Sequence, residues 1–174
     1  MPAAEADLLA YLDRIGVGWT RHAHAPVFTV EEAQVLRGEL PGAHSKNLFL
    51  KAKDGALWLA VCREDRRIRI RDLERALGAK KMSFGAADLL KATLGVNPGS
   101  VTPFALINDP QGLVKVALDA QMMRAEILNF HPMRNDATLA VSKDGLRRFL
   151  AETGHGVVET DFDALEARAA AADG

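Results

Sequence analysis

The sequence predicts an α+β domain, with a mixed, largely antiparallel sheet flanked by helices. Short apolar runs come in pairs joined by turn sequences, amphipathic segments of helical period fall between the pairs, and no regular succession of βαβ units is visible. With 174 residues and 48% hydrophobic content, the chain has the size of one domain and enough apolar surface for a core. Residues 1–160 are expected to form that domain. The alanine-rich residues 161–174 are expected to be a C-terminal tail, either a weak surface helix or a frayed end.

Leu8, Leu9, Leu12 and Ile15 recur at helical spacing and Gly16 stops them, so an amphipathic helix opens the chain. Val17 to His24 alternates with a period of two and ends at Pro26, which predicts a strand. Thr29-Val30-Glu31-Glu32 has the form of a capping box and starts a short helix running from Val30 to about Arg37. Asn47–Ala52 and Leu57–Cys62 are apolar runs around Lys53-Asp54-Gly55, a hairpin signal. A helix with Leu73 and Leu77 one turn apart ends at Gly78, and Ser83 is placed to cap another that carries Ala86, Leu89, Leu90 and Leu94 up to Gly95. Phe104–Ile107 and Leu113–Leu118 read as a second hairpin around Asn108-Asp109-Pro110-Gln111-Gly112. Ala125–Phe130 and Ala137–Val141 read as two further strands, Ser142 as the cap of a helix bearing Leu146, Phe149 and Leu150, and Val157-Val158 as a short terminal strand.

Charge bounds the partners. The formal net charge is −1, so no global field draws in a polyanion, and any nucleic-acid contact must come from a local patch. Arg66, Arg67, Arg69 and Arg71, extended by Lys80 and Lys81, form such a run; a plain solvated face is the alternative. Cys62 is the single cysteine and cannot form an internal disulfide, which fits a reducing compartment. No apolar run approaches the length of a membrane span, and Glu5 and Asp7 stand where a signal sequence would be basic and apolar. The expectation is a cytoplasmic protein with no membrane partner.

Few residue patterns carry chemistry by themselves. His22 and His24 lie two apart on one strand face, but zinc sites need three or four ligands and no cysteine pair or HExxH helix accompanies them, so neither a metal nor another cofactor is expected. Cys62 ends an apolar strand, the place of a structural thiol rather than a nucleophile. Phosphate-binding glycine patterns are absent. Lys46 and Asn47 head an apolar strand, which carries their polar ends to the rim of a sheet. Lys46 is either a snorkelling surface lysine or a point charge for a phosphate or ribose oxygen, assisted by the Asn47 amide. The loop Gly95-Val96-Asn97-Pro98-Gly99-Ser100-Val101-Thr102-Pro103 is either punctuation after a helix or a rigid cradle that lets backbone approach a ligand. His131, held out of helical geometry by Pro132, is a turn residue or a rim histidine that orients a substrate.

Taken together, Lys46-Asn47-Leu48-Phe49-Leu50, the Leu77-Gly78-Ala79-Lys80-Lys81-Met82-Ser83-Phe84 run, the Gly95–Pro103 loop with Phe104, and Phe130-His131-Pro132 resemble the YbaK and prolyl-tRNA-synthetase-associated editing family. The resemblance runs in order over roughly residues 1–160 and is greatest to the freestanding alanyl-tRNA(Pro) deacylases, since no synthetase catalytic or anticodon domain accompanies these residues. It implies a barrel-like editing fold and hydrolysis of the ester of mischarged Ala-tRNA(Pro), with a substrate hydroxyl assisting the attacking water. Lys46 would anchor the terminal phosphate or ribose and Asn47 its hydroxyls. The backbone from Gly95 to Gly99, with Pro98 and Ser100, would hold the aminoacyl group, and His131 would close the rim. A wall of Phe28, Thr29, Val30 and Leu48 would exclude proline by size, while Arg66, Arg67, Arg69, Lys80 and Lys81 would meet the acceptor stem. The implied partner is the acceptor end of proline tRNA, not DNA, with prolyl-tRNA synthetase or an elongation factor as passing partners. The alternatives are the same fold acting on Cys-, Ser- or Thr-charged tRNA, and a non-catalytic module that binds tRNA or a synthetase.

Overall fold

A computed structural model describes residues 1–174, apart from the side chains of Val30, Ala33, Arg37 and Glu39. The elements follow the order α1 (Glu5–Arg14), β1 (Trp19–Ala23), α2 (Val30–Glu39), β2 (Ala43–Lys51), β3 (Leu57–Arg63), α3 (Ile70–Leu77), β4 (Ser83–Phe84), α4 (Ala87–Leu94), β5 (Val114–Asp119), β6 (Ile127–Phe130), β7 (Ala137–Ser142), α5 (Lys143–Glu152), β8 (Val157–Thr160) and α6 (Phe162–Ala172). Three 3-10 turns, Pro98–Ser100, Pro103–Asn108 and Met122–Arg124, complete the chain.

The strands form one mixed sheet of 8 strands in the order β1-β7-β6-β2-β3-β5-β8, with β4 paired to β2. Antiparallel pairs join β1 to β7, β7 to β6, β2 to β3 and β2 to β4, whereas β2–β6, β3–β5 and β5–β8 are parallel. The strand β2 couples the two halves. Ala43 and His44 pair with Leu128 and Asn129 of β6, and from Ser45 onward the strand pairs with β3, Lys46 opposite Cys62 and Asn47 opposite Val61.

Alternation along these strands feeds two cores. Phe49, Leu59, Val61, Val116 and Leu118 face a larger cluster with Leu8, Leu12, Leu90, Phe104 and Phe149. Phe104 sits at its centre, edge-on to Phe130 at 5.6 Å and to Phe149 at 5.2 Å. On the other face Leu50, Trp58, Ala60, Cys62 and Ala117 pack with Leu73 of α3 and with Phe162 and Leu165 of α6.

Local chemistry accounts for the helix ends. Thr29 Oγ1 accepts from the Glu32 amide while the Glu32 carboxylate accepts from the Thr29 amide, the reciprocal box read from the sequence. Ser142 Oγ accepts from the Gly145 amide and starts α5 as expected.

The fold departs from the sequence expectation in three places. Phe104–Ile107 is not a strand: Pro103 and the Thr102 side chain, which accepts from the Phe104 amide, start a 3-10 helix in which Phe104, Ala105 and Leu106 are all buried. With no alternation available, the run cannot form a half-buried strand, and β5 pairs in parallel with β3 instead of closing a second hairpin. Ser83 does not cap a helix; it pairs with Lys51, and the Gly85 amide continues the pairing by donating to the Phe49 carbonyl. A Cβ at Gly85 would come within 2.5 Å of the Phe49 ring, so only glycine permits that approach. The alanine-rich C-terminal segment is a docked helix, since Phe162, Leu165 and Ala169 of α6 are buried.

An ion cluster fastens α6. Arg66, only 2% exposed, donates to Asp119, Asp163 and Glu166, and Asp119 also accepts from the main-chain amides of Arg63, Gln121 and Met122. Burial opposes the Arg66 charge, and the bonds to Asp163, Glu166 and Asp119 outweigh it, raising its pKa above the ordinary guanidinium value. Arg66→Ala leaves the buried Asp119 carboxylate without its counter-ion and is expected to cost about 3–5 kcal/mol. Asp163→Asn, at a carboxylate 61% exposed, is expected to cost less than about 1 kcal/mol. Urea unfolding of both variants checks the contrast, and equal losses would show that Asp119 does not depend on Arg66.

Candidate active site

Strand alternation splits the two residues that head β2. Lys46 shares the face of Leu48, Leu50 and Cys62, where its ammonium donates to the Arg66 carbonyl. Asn47 shares the opposite face with Ser45, and its Nδ2 donates to Ser45 Oγ at 3.3 Å. Ser45 Oγ in turn donates to the Asn129 carbonyl at 3.0 Å. The Asn129 side chain spends both its protons on the Pro41 and Ala43 carbonyls, at 2.9 and 3.3 Å, which ties the start of β2 to β6. The Oδ1 atoms of Asn47 and Asn129 are buried and take no hydrogen bond among the described residues.

His131 lies two residues beyond Asn129, at the end of β6. Burial lowers its pKa below the ordinary 6.5, the Ala137 carbonyl 3.5 Å from Nδ1 opposes that shift, and nearby His24 and Glu64 act in opposite directions. The ring is neutral at pH 7, and a proton on Nδ1 facing that carbonyl leaves the lone pair on Nε2. His24 is committed as well: Nδ1 bonds the Ala25 carbonyl at 2.8 Å, so Nε2 accepts from the Thr138 hydroxyl at 2.9 Å. Neither nitrogen of His24 is left to share a metal with His22, and among the described residues no group of three or more His, Cys, Asp or Glu is arranged for one. Burial pushes the Cys62 thiol up to about 12, so no thiolate is available there.

The glycine-proline loop touches the segment that follows His131. Gly99, in the Pro98–Ser100 turn, faces Asn135 of the loop that leaves His131, with 4.0 Å between its Cβ position and the Asn135 amide nitrogen. Ser100 donates its amide to the Asn97 carbonyl. Gly95 serves the fold: it caps α4 at φ +70°, and a Cβ there would stand 2.7 Å from Pro2 and 2.8 Å from Asn108.

The expected selectivity wall is not assembled as one surface. Phe28 is 78% exposed, the Thr29 hydroxyl is used as the α2 cap, Leu48 faces the α3–α6 core, and the Val30 side chain lies outside the described residues. Between β1 and α2 lies an open apolar hollow of about 300 Å³ lined by His24, Pro26, Val27, Val35 and Leu36.

The expected basic surface also changes. Arg66 is buried among carboxylates and cannot meet a phosphate, and the Arg69 guanidinium is held by Asp72 at 2.6 Å. Arg67, Lys80 and Lys81 are exposed, and Lys51 and Lys53 lie beside Lys81 at one hollow. Sequence reasoning assigns no role to Ser45 or Asn129. The available signal was an asparagine inside the otherwise apolar run Ile127-Leu128-Asn129-Phe130.

Comparison with known proteins agrees with this architecture. Residues 24–149 match the aminoacyl-tRNA editing domain family. The chain is 40% identical over 162 residues to prolyl-tRNA synthetase associated domain-containing protein 1 of Xenopus laevis, covering 90% of this chain and 96% of that one. It is 31% identical over 153 residues to the prolyl-tRNA editing protein ProX of Acetoanaerobium sticklandii, covering 87% of this chain and 93% of the relative. A solved structure described as a candidate trans-editing enzyme for prolyl-tRNA synthetase superposes with a TM-score of 0.68 over 91% of this chain and 98% of its own, at 18% identity. The fold and the sequence relatives together make this chain a member of the aminoacyl-tRNA editing domain family.

Proposed function

We propose that the protein is a trans-editing deacylase that hydrolyses the ester between a wrong amino acid, alanine above all, and the terminal adenosine of proline tRNA. The observation that carries this reading is membership of the editing family, one relative of which is named a prolyl-tRNA editing protein, supported by a neutral His131 at the end of β6, two residues beyond the hydrogen-bonded Asn129. An aminoacyl ester is already activated, so positioning a water and the carbonyl supplies much of the rate. Water adds to the ester carbonyl, the bond to the ribose oxygen breaks, and the proton reaches that oxygen by way of the vicinal ribose hydroxyl. Free amino acid and uncharged tRNA leave.

In this reading Lys46 gives up its bond to the Arg66 carbonyl, or shares it, to hold the terminal phosphate or ribose. Asn47 fixes a hydroxyl, the Pro98–Ser100 turn borders the aminoacyl group, and His131 orients the ester or water through Nε2. Exclusion of the larger proline by clash would supply the selectivity. Arg67, Lys80 and Lys81 supply a local positive surface for the acceptor stem of tRNA(Pro). Prolyl-tRNA synthetase is the natural transient partner, and the cytoplasm the natural compartment.

A panel of aminoacyl-tRNAs tests the substrate: alanine on proline tRNA is expected to be released fastest. Faster release of cysteine, serine or threonine would reassign the substrate, and binding without release would make the protein a non-catalytic module. Lys46→Ala is expected to lower kcat/KM roughly 100-fold, as loss of a charged hydrogen bond does, and His131→Ala only about 10-fold. Turnover by Lys46→Ala at the normal rate would remove that residue from the site. For pH, the sign follows from a histidine pKa lowered below 6.5 in the fold. Between the folded and unfolded values the unfolded chain alone binds the proton, so this stabilisation is complete above about 6.5 and is lost as pH falls to the folded value. Proton NMR of His131 is expected to titrate below 6.5, and a higher midpoint would contradict a neutral positioning role.

A further inference from the structure

Hydrogen-bond polarity around β2 fixes which end of the Asn47 amide faces Ser45. A main-chain carbonyl can only accept, so the Asn129 carbonyl takes the single proton of Ser45. Ser45 Oγ is then left as an acceptor, and its partner on Asn47 must be the NH2 group. The Asn47 oxygen therefore points away from Ser45, where it is buried without a partner among the described residues. A buried acceptor left unpaired is unfavourable, and a fold keeps one where another group supplies the donor.

We propose that Ser45 is a positioning residue that locks the Asn47 amide with its oxygen presented to a hydrogen-bond donor of the substrate, a ribose hydroxyl or the α-ammonium of the aminoacyl group. The inference rests on the editing reading given above and narrows it. The Asn47 oxygen is an acceptor, so that atom cannot serve phosphate or carboxylate oxygens. Phosphate recognition falls to Lys46 on the opposite face of the strand, and the substrate terminus is read from both sides of β2. Asn129 anchors the arrangement through its main chain, while its side chain fixes Pro41 and Ala43.

The test combines kinetics with side-chain NMR on the intact protein. Ser45→Ala is expected to raise KM for the aminoacyl-tRNA roughly 3- to 10-fold, the loss typical of one neutral hydrogen bond, with kcat little changed. Ser45→Thr keeps the hydroxyl and is expected to restore KM. In an Asn47→Ala background Ser45→Ala is expected to add nothing, and independent, multiplying effects would overturn the proposal. The Asn47 Nδ2 protons give a second readout. In the wild-type protein they are expected to be non-equivalent and to shift on adding a non-hydrolysable alanyl-adenosine amide but not inorganic phosphate, and Ser45→Ala is expected to abolish the response. A shift with phosphate alone, or a spectrum indifferent to Ser45→Ala, would sink the inference. A wild-type protein that releases no amino acid from any tRNA would instead sink the editing reading, while the NMR signals would still report on Ser45.

Discussion

The period of two along β2 is the constraint on which the rest depends. One strand must pair with β6 at Ala43 and His44 and with β3 from Ser45 onward, so its side chains are dealt alternately to two cores. A slip of one residue would send Phe49 into the α3–α6 layer and Leu50 into the Phe104 cluster. The register that prevents this also fixes where the candidate residues stand. Lys46 is tied to the core behind the sheet, and Asn47 belongs to the polar seam between β2 and β6.

The candidate site differs from sites built around a strong base. Its histidines are neutral or committed to carbonyl and hydroxyl partners, and its thiol is too deeply buried to ionise. What remains is a set of dipoles with fixed directions: the Ser45 hydroxyl, the two asparagine amides and the turn at Pro98–Ser100. Groups of this kind cost little to reorganise when charge develops beside them.

The parts of the fold legible in the sequence are those set by neighbours in the chain. Lys53-Asp54-Gly55 makes a hairpin, Thr29 and Glu32 cap α2, and Ser142 caps α5, because each uses groups within a few residues. The parts that were not legible answer to distant groups. The apolar run Phe104–Ile107 has no period to separate strand from helix, and Pro103 with Thr102 decides it. The alanine-rich α6 has little amphipathic signal, yet Phe162 and Leu165 find a pocket behind β3. Arg66 looked like surface charge because its carboxylates come 53, 97 and 100 residues later. Among the candidate residues, Lys46, Asn47 and His131 stand out by position and family resemblance, whereas Ser45 and Asn129 are tied together by a bond that crosses from one strand to another.

The Arg66 cluster also orders events in time. The carbonyl that receives the Lys46 ammonium belongs to a residue whose guanidinium is fastened by Asp119, Asp163 and Glu166. Such sequence-distant contacts carry a larger loop-closure entropy than the local hairpin and caps. During synthesis β2 and β3 leave the ribosome well before Asp163 and Glu166 exist, so the lysine has its strand long before it has its full anchor. The final helix thus acts as a completion mark: a chain interrupted before it carries the motif residues without the clamp behind them.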